Sequence, residues 1–197
     1  MQLPPVYILR HGQTEWNTLG RMQGHLDSPL TELGRENARA QGRLIKELAA
    51  QHPGLHFFAS PQGRVRQTRR IALEGLGAEM REDARLKEAA AGAWQGLTEA
   101  EIAARYPELY ARHETRLSLG LGAPGGEGFH DLAARCDAFL SELTGPSVIF
   151  THGVTLAVLR GLALGLGEQE VLGLDHRQGV IYAIEDGRER VLEPAGQ

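Results

Sequence analysis

Val6-Tyr7-Ile8-Leu9-Arg10-His11-Gly12 follows Pro4-Pro5 near the start of the chain, and its order decides how the rest is read. Four apolar residues closed by an arginine, a histidine and a glycine read as a buried strand that stops at a polar turn. Working outward, the same signature returns far downstream, where Val148-Ile149-Phe150 runs into Thr151-His152-Gly153. Between the two, His56 to Ser60 reads as another strand, with Pro61 and Arg64 just beyond it.

Helical patterns fill the intervals. Thr31 can cap a helix from about Glu32 to Ala50, with Leu33, Ala40, Leu44, Ile45 and Leu48 near helical spacing, and His52-Pro53-Gly54 ends it. Ser60-Pro61 fits an N-cap with proline in the first turn of a helix reaching about Glu74. Thr98 and Glu101 form a capping box for a helix to about Tyr106, stopped by Pro107, and the glycine-rich stretch 118–129 is expected to be a loop. Phe129 to Leu143 and Thr155 to Leu164 read as helices, and Val180 to Ile184 with Arg190 to Leu192 as a terminal hairpin across Asp186-Gly187. The expectation is an α/β fold: one domain over residues 1–197, with a mostly parallel central sheet between two helical layers.

The composition fits that picture. A chain of 197 residues with 42% hydrophobic and 23% charged residues can bury one full core. A net charge of −4 argues against a broad basic surface for nucleic acid or acidic lipid, while leaving room for a local basic pocket. The one cysteine, Cys136, excludes an internal disulfide and a cysteine-based zinc cluster, and reads as a buried small hydrophobe on a helix in a protein of the reducing cytoplasm. No targeting segment or membrane span is expected. Monomer and homodimer both remain open.

In an open parallel sheet, ligands bind outside the carboxyl ends of the strands, because each strand delivers its following loop to that edge. Here that edge would receive Arg10-His11-Gly12, Ser60-Pro61 with Arg64, and Thr151-His152-Gly153. Two histidines and two arginines gathered there would make a cationic pocket suited to a phosphoryl dianion, with the planar arginine forks binding two oxygens at once. Either histidine alone is more simply a structural side chain, and Arg64 alone a solvated helix residue. The repeated strand-histidine-glycine pattern is what tips the balance.

These residues resemble the histidine phosphatase superfamily, also called phosphoglycerate mutase-like proteins. The nine residues from Leu9 to Asn17, Leu-Arg-His-Gly-Gln-Thr-Glu-Trp-Asn, are similar to its defining first motif. Further similar stretches follow in order: Gly20-Arg21-Met22-Gln23-Gly24 with Asp27 to Thr31, Ser60 to Thr68, Leu86-Lys87-Glu88 with Gly92, Trp94 and Gly96, Pro124 to Glu127, and Thr151-His152-Gly153. The resemblance covers about residues 6–155.

It implies a phosphoglycerate mutase-like α/β/α sandwich in which His11 is phosphorylated, Arg10, Arg64 and His152 hold the phosphoryl oxygens, and Glu88 is the proton donor. Asn17, Gln23, Gly24 and the Gly153 backbone would line the same pocket, and residues of about 95–128 would form a cap over it. The substrate would be a small phosphorylated metabolite, with no cofactor and no metal, since the arginines supply the positive charge. A surface carboxylate beside Lys87 is the plainer reading of Glu88. Arg105, Arg112, His113 and Arg116 in the cap segment either face solvent or read the distal part of an acidic substrate.

Three outcomes stay open: a phosphatase passing the group to water, a mutase returning it to a sugar-acid hydroxyl, and a phospholigand-binding module without turnover. The short stretch from Glu193 to Gln197 favours the phosphatase over mutases with a longer tail, and intact His11, Glu88 and His152 argue against a pure binder. Ala89-Ala90-Ala91 and Gly128 depart from the residues commonly found there and predict a more open pocket wall. Gly120-Leu-Gly122-Ala-Pro-Gly125 matches a dinucleotide fingerprint only as a string, because no strand precedes it and Pro124 sits where the helix would start.

Overall fold

The computed structural model describes residues 3–194, so residues 195–197 of the C-terminal stretch lie outside it. The chain runs β1 (Val6–Arg10), α1 (Glu15–Thr18), α2 (Glu32–Gln51), β2 (His56–Ala59), α3 (Gly63–Ala72) and β3 (Met80–Glu82). It continues through α4 (Glu99–Arg105), α5 (Pro107–Tyr110), α6 (Arg116–Leu121), α7 (Phe129–Leu140) and β4 (Ser147–Thr151). α8 (Gly153–Leu164), α9 (Glu168–Leu172), β5 (Ile181–Glu185) and β6 (Arg188–Leu192) complete it.

The strands form one sheet in the order β3-β2-β4-β1-β5-β6. The first four are mutually parallel, and β5 turns antiparallel to β1. The β5–β6 hairpin closes at Asp186 and Gly187, with φ of +50° and +69°. Alternation along each strand sends residues to opposite faces. Val6, Ile8, Ile149 and Tyr182 pack with residues of α7 and α8, while Tyr7, Leu9, Val148 and Phe150 pack with residues of α2 and α3. The result is a three-layer α/β/α sandwich. In the β1–β4 register Arg10 lies opposite Thr151, so His11 and His152 leave adjacent strands side by side.

Several local expectations are corrected. Ser60-Pro61 does not cap α3: the N-cap is Gln62, and the Asp27 carboxylate accepts from the Gly63 and Arg64 N–H groups from a distant loop. Ser60 instead completes the β2 edge, its N–H donating to the Phe150 carbonyl. Residues 118–121 of the expected loop belong to a helix over 116–121, because Thr115 and Ser118 form a capping box. Pro107 begins α5 as well as ending α4. Leu33 is 49% exposed, since the buried face of α2 runs through Ala40, Leu44, Ile45 and Leu48. β3 has a weak pattern of its own, and its pairing with β2 sets it. Cys136 is buried on α7.

Candidate active site

A small cavity opens at the carboxyl ends of β1, β2 and β4, lined by Arg10, His11, Arg64, Glu88, Gly153 and His176 at its floor. Its volume is about 70 Å³, room for several waters or one small anionic group at roughly 10–15 Å³ per water. Met22, Leu117, Gly120 and Val154 supply apolar wall, and Arg21 and Arg116 add charge.

His11 sits just past β1, its backbone N–H donating to the Thr151 carbonyl. Its Nδ1 lies 2.8 Å from the Gly12 carbonyl, an acceptor only, so Nδ1 carries the proton and Nε2 the lone pair. The Arg64 Nε–H donates to that Nε2 at 3.2 Å. Burial first, then the charges of Arg64 and Arg10, hold the imidazole well below its ordinary pKa, so it is neutral. Desolvation is the larger cause and the two arginine charges the smaller.

Arg64 is 1% exposed and held from three sides. Nη1 donates to the Leu26 carbonyl and Asp27 Oδ1, and Nη2 to the Gly24 carbonyl. Gly24 has φ +51°, and a Cβ there would meet Ala91 at 2.8 Å, so the turn that aims its carbonyl at Arg64 requires glycine. Gln62 Nε2 donates to the same carbonyl and Gln62 Oε1 accepts from the Glu88 N–H, joining the Arg64 cradle to Glu88.

Arg10 donates through Nη1 to the His176 carbonyl at 3.0 Å, and its buried Nε has no partner. Burial lowers its pKa to about 10, which leaves it charged at neutral pH. A Cβ on Gly153 would come within 3.4 Å of the Arg10 guanidinium, so the first turn of α8 reaches the cation only because no side chain intervenes.

His152 is fully buried, 5.4 Å from the His11 ring between centroids, and does not line the open cavity. Its Nε2 pairs with Ser60 Oγ at 2.7 Å, and Nδ1 is buried without a partner. Burial, then Arg64, His11 and Arg10, keep it neutral as well.

Glu88 meets the N-terminus of α8. Its oxygens accept from the N–H groups of Ala89, Val154 and Thr155 and from Thr155 Oγ1. Unpaired amides and the positive end of the helix dipole make that position suited to a carboxylate. Glu88 is therefore fixed at the cavity wall, rather than loose beside Lys87.

Asn17 lines the cavity, its Oδ1 accepting from the Thr14 N–H and Gln178 Nε2. Gln23 also lines it, but both ends of its amide are engaged: Nε2 donates to Thr14 Oγ1 and Oε1 accepts from Ser28. Of the four basic residues in 105–116 only Arg116 reaches the cavity. His113 turns away and packs edge-on against Trp94. Sequence reasoning missed Ser60 as the partner of His152, Thr155 as a donor to Glu88, and the 175–178 loop, which brings His176 and Gln178 to the site. Only contacts across the fold reveal them.

The family model described as histidine phosphatase superfamily (branch 1) matches residues 6–193, well beyond the stretch whose motifs were legible. The chain is 33% identical over 171 residues to the probable phosphoglycerate mutase GpmB of Salmonella paratyphi C, covering 82% of this chain and 75% of that one. Its backbone is similar to a mycobacterial glucosyl-3-phosphoglycerate phosphatase solved with VO3, at TM-score 0.80 and 32% identity, covering 98% and 100% of the two chains. YhfR of Bacillus stearothermophilus is similar at TM-score 0.80 and 28% identity, over 98% of each chain.

Proposed function

The chain belongs to the histidine phosphatase superfamily, and from that premise we propose that it hydrolyses phosphomonoesters of small metabolites through a phosphohistidine on His11. The observation that carries the reading is the fixed tautomer of a buried, neutral His11 whose Nε2 lone pair faces Arg64 across the cavity floor. A nucleophile must present a lone pair, and this one does so without first losing a proton.

In the first step His11 Nε2 bonds to phosphorus and the ester P–O bond breaks. The leaving alkoxide takes a proton from Glu88. Charge on the three equatorial oxygens is met by Arg10 and Arg64, and by Nδ1 of His152, the one ring nitrogen its Ser60 bond leaves over. These donors are held in place beforehand, so little reorganisation accompanies the reaction. Arg64 Nε–H, now on the nucleophile, passes to a phosphoryl oxygen as His11 bonds to phosphorus. In the second step Glu88 takes a proton from water, the oxygen bonds to phosphorus, and the P–N bond breaks to release phosphate. Asn17, Gln23, Gly24 and Gly153 shape the same pocket.

We also propose that residues 95–128 form a cap that selects the rest of the substrate. Its residues Arg116, Leu117 and Gly120 line the cavity opposite the strand ends. A solved relative at 32% identity described as a phosphatase supports water over a second hydroxyl as the acceptor. Cys136, a free thiol whose pKa burial pushes up to about 12, supports a reducing cytoplasmic setting.

The test is phosphate release from a chromogenic monoester in EDTA, with acid-labile protein phosphate followed alongside. We expect turnover and transient labelling, both abolished in His11→Ala, whose fold is retained. Absent turnover and label, with 3-phosphoglycerate isomerised instead, would move the chain to the mutase reading.

A further inference from the structure

An ion-pair network centred on one buried arginine, with Asp175 half exposed at its outer end, has no part in the chemistry just described, yet it ends on the loop that touches three of the site residues. Arg160 of α8 is 2% exposed. Its Nε and Nη2 grip both oxygens of Glu189 at 2.7 Å, and its guanidinium lies 3.7 Å over the Tyr182 ring. The same guanidinium binds Asp175 twice, through the backbone carbonyl and through Oδ1. Tyr182 adds a second grip, its hydroxyl donating to Asp175 Oδ2 at 2.9 Å while accepting the Arg177 N–H.

Asp175 is thus held by α8 and β5, and residues 176–178 follow directly. The His176 carbonyl accepts from Arg10 Nη1 at 3.0 Å. Gln178 Nε2 donates to the His11 carbonyl at 3.0 Å and to Asn17 Oδ1 at 3.2 Å. These three bonds from the loop to the site all end on residues of the first motif. A buried arginine with no packed apolar substitute is costly to desolvate, so the energy of such a network is weak evidence of stability alone. Its geometry, two elements clamping one residue beside a contact loop, does have a use here.

We propose that Arg160, Asp175 and Tyr182 are positioning residues that set the 176–178 loop, and through it the orientation of Arg10 and the His11 backbone. This rests on the reading of Arg10 and His11 as phosphoryl-binding and nucleophilic groups. Loosening the clamp lets the Arg10 fork drift from the phosphoryl oxygens, and misplacements of about 1 Å in such groups cost up to roughly 100-fold in rate.

Tyr182→Phe and Asp175→Ala test this. Arg160 itself is too deeply buried to replace safely. Tyr182→Phe keeps the ring under Arg160 and removes only the hydroxyl. Tyr7→Phe is a matched control: a buried tyrosine on β1, in the core on the opposite face of the sheet from Tyr182, whose hydroxyl donates to Glu185 at 2.5 Å and pairs with His52. Two readouts are taken on all four proteins: kcat and KM for a chromogenic monoester, and the affinity for inorganic phosphate by calorimetry, with thermal midpoints alongside.

We expect Tyr182→Phe and Asp175→Ala to lose about tenfold or more in kcat/KM and to weaken phosphate binding by several-fold, while Tyr7→Phe loses stability and keeps both. Equal activity loss in the tyrosine pair, or no change in Tyr182→Phe and Asp175→Ala, would overturn the positioning role. If the native protein binds phosphate without turning over any ester, the hydrolase reading fails, and the phosphate affinities still decide the clamp.

Discussion

The floor of the cavity and its roof are built on different terms. On the floor, Arg64 and His11 are buried, with buried His152 packed behind them, and most of their polar atoms already have protein partners before a ligand arrives. On the roof, α4 and α5 rest on a small separate cluster, Trp94, Ile102, Leu119 and Ala123, and only α6 also reaches the core beside α8, through Leu117. The one roof arginine at the cavity, Arg116, is half exposed and pairs with Glu99 only at 3.8 Å. Charge stabilisation in the transition state needs donors that do not move, so the floor is anchored to strand ends. Recognition of the variable part of a substrate tolerates a looser element on a shallow core.

The floor is where a single atom should matter most. Replacing Glu88 by Gln keeps an acceptor for Val154 or Thr155 and, on the proposed mechanism, removes the proton the leaving group would take. Loss of a general acid costs about 10²- to 10⁴-fold in rate. We expect that loss with an alkyl phosphate and a much smaller one for formation of the labelled enzyme from a nitrophenyl ester, whose phenolate leaves unaided. Equal losses with both esters would mean that Glu88 only shapes the pocket.

Two isoleucines, both fully buried, sharpen the contrast: Ile8 in the sheet and Ile102 in the roof cluster. Truncation of a buried isoleucine to Ala costs about 2–5 kcal/mol where the site cannot collapse. Ile8→Ala should lower the global unfolding free energy by that amount. Ile102→Ala should instead speed amide exchange across 99–121 and raise KM, with a smaller global loss. Matching global losses and no local change in exchange would show that roof and sheet unfold as one.

How much of this was legible in the sequence follows the same division. The strand-end residues were visible because Leu9 to Asn17 and Thr151 to Gly153 carry a local signature, and an apolar run closed by a polar turn announces a strand wherever it occurs. The edge strand β3 had no such run. Its three residues are strand because β2 offers a free edge. The glycine-rich stretch 118–129 reads as loop, yet its first residues, 118–121, end a helix that the capping pattern of Thr115 and Ser118 marks. Asp27 as the cap of α3 and the 175–178 loop at Arg10 were out of reach, since each joins residues distant in the chain. The motif gave Arg64 its place, but the bonds that aim it come from Gly24, Leu26 and Asp27.

A moderate effect tests the proposed role of the roof. Arg116→Ala should leave the chromogenic ester nearly unchanged and raise KM about 5- to 30-fold for phosphoesters carrying a second anionic group, the span expected for one lost charge-assisted contact of about 1–2 kcal/mol. A uniform loss across esters with and without that group would place Arg116 with the floor, acting on the phosphoryl group itself.

The smallest effect expected is a change of stability with pH, and its sign follows from the buried histidines. His11 and His152 are held neutral in the folded protein, well below the ordinary 6.5, mainly by burial. Partly buried His176 and His113 are shifted the same way. Once unfolded, each takes up a proton near pH 6.5, so below that value the unfolded chain binds more protons and stability falls as pH falls. His11 and His152, both fully buried, each contribute at most about 1.4 kcal/mol per pH unit over that window, and the partly exposed His176 and His113 contribute less. The carboxylates whose pKa values are lowered by ion pairs or backbone donors, Glu82, Asp83, Glu101, Glu142 and Asp175, act at still lower pH and do not mask it. Urea unfolding at pH 7.5 and pH 5.5 should therefore show a loss of about 1–3 kcal/mol, while kcat/KM holds on the acid side until His11 itself takes a proton. Unchanged stability would mean that an imidazole on the floor is already charged when folded. The nucleophile would then have to lose a proton before each attack, and the difference between an anchored, neutral floor and a charged, solvated roof would not hold.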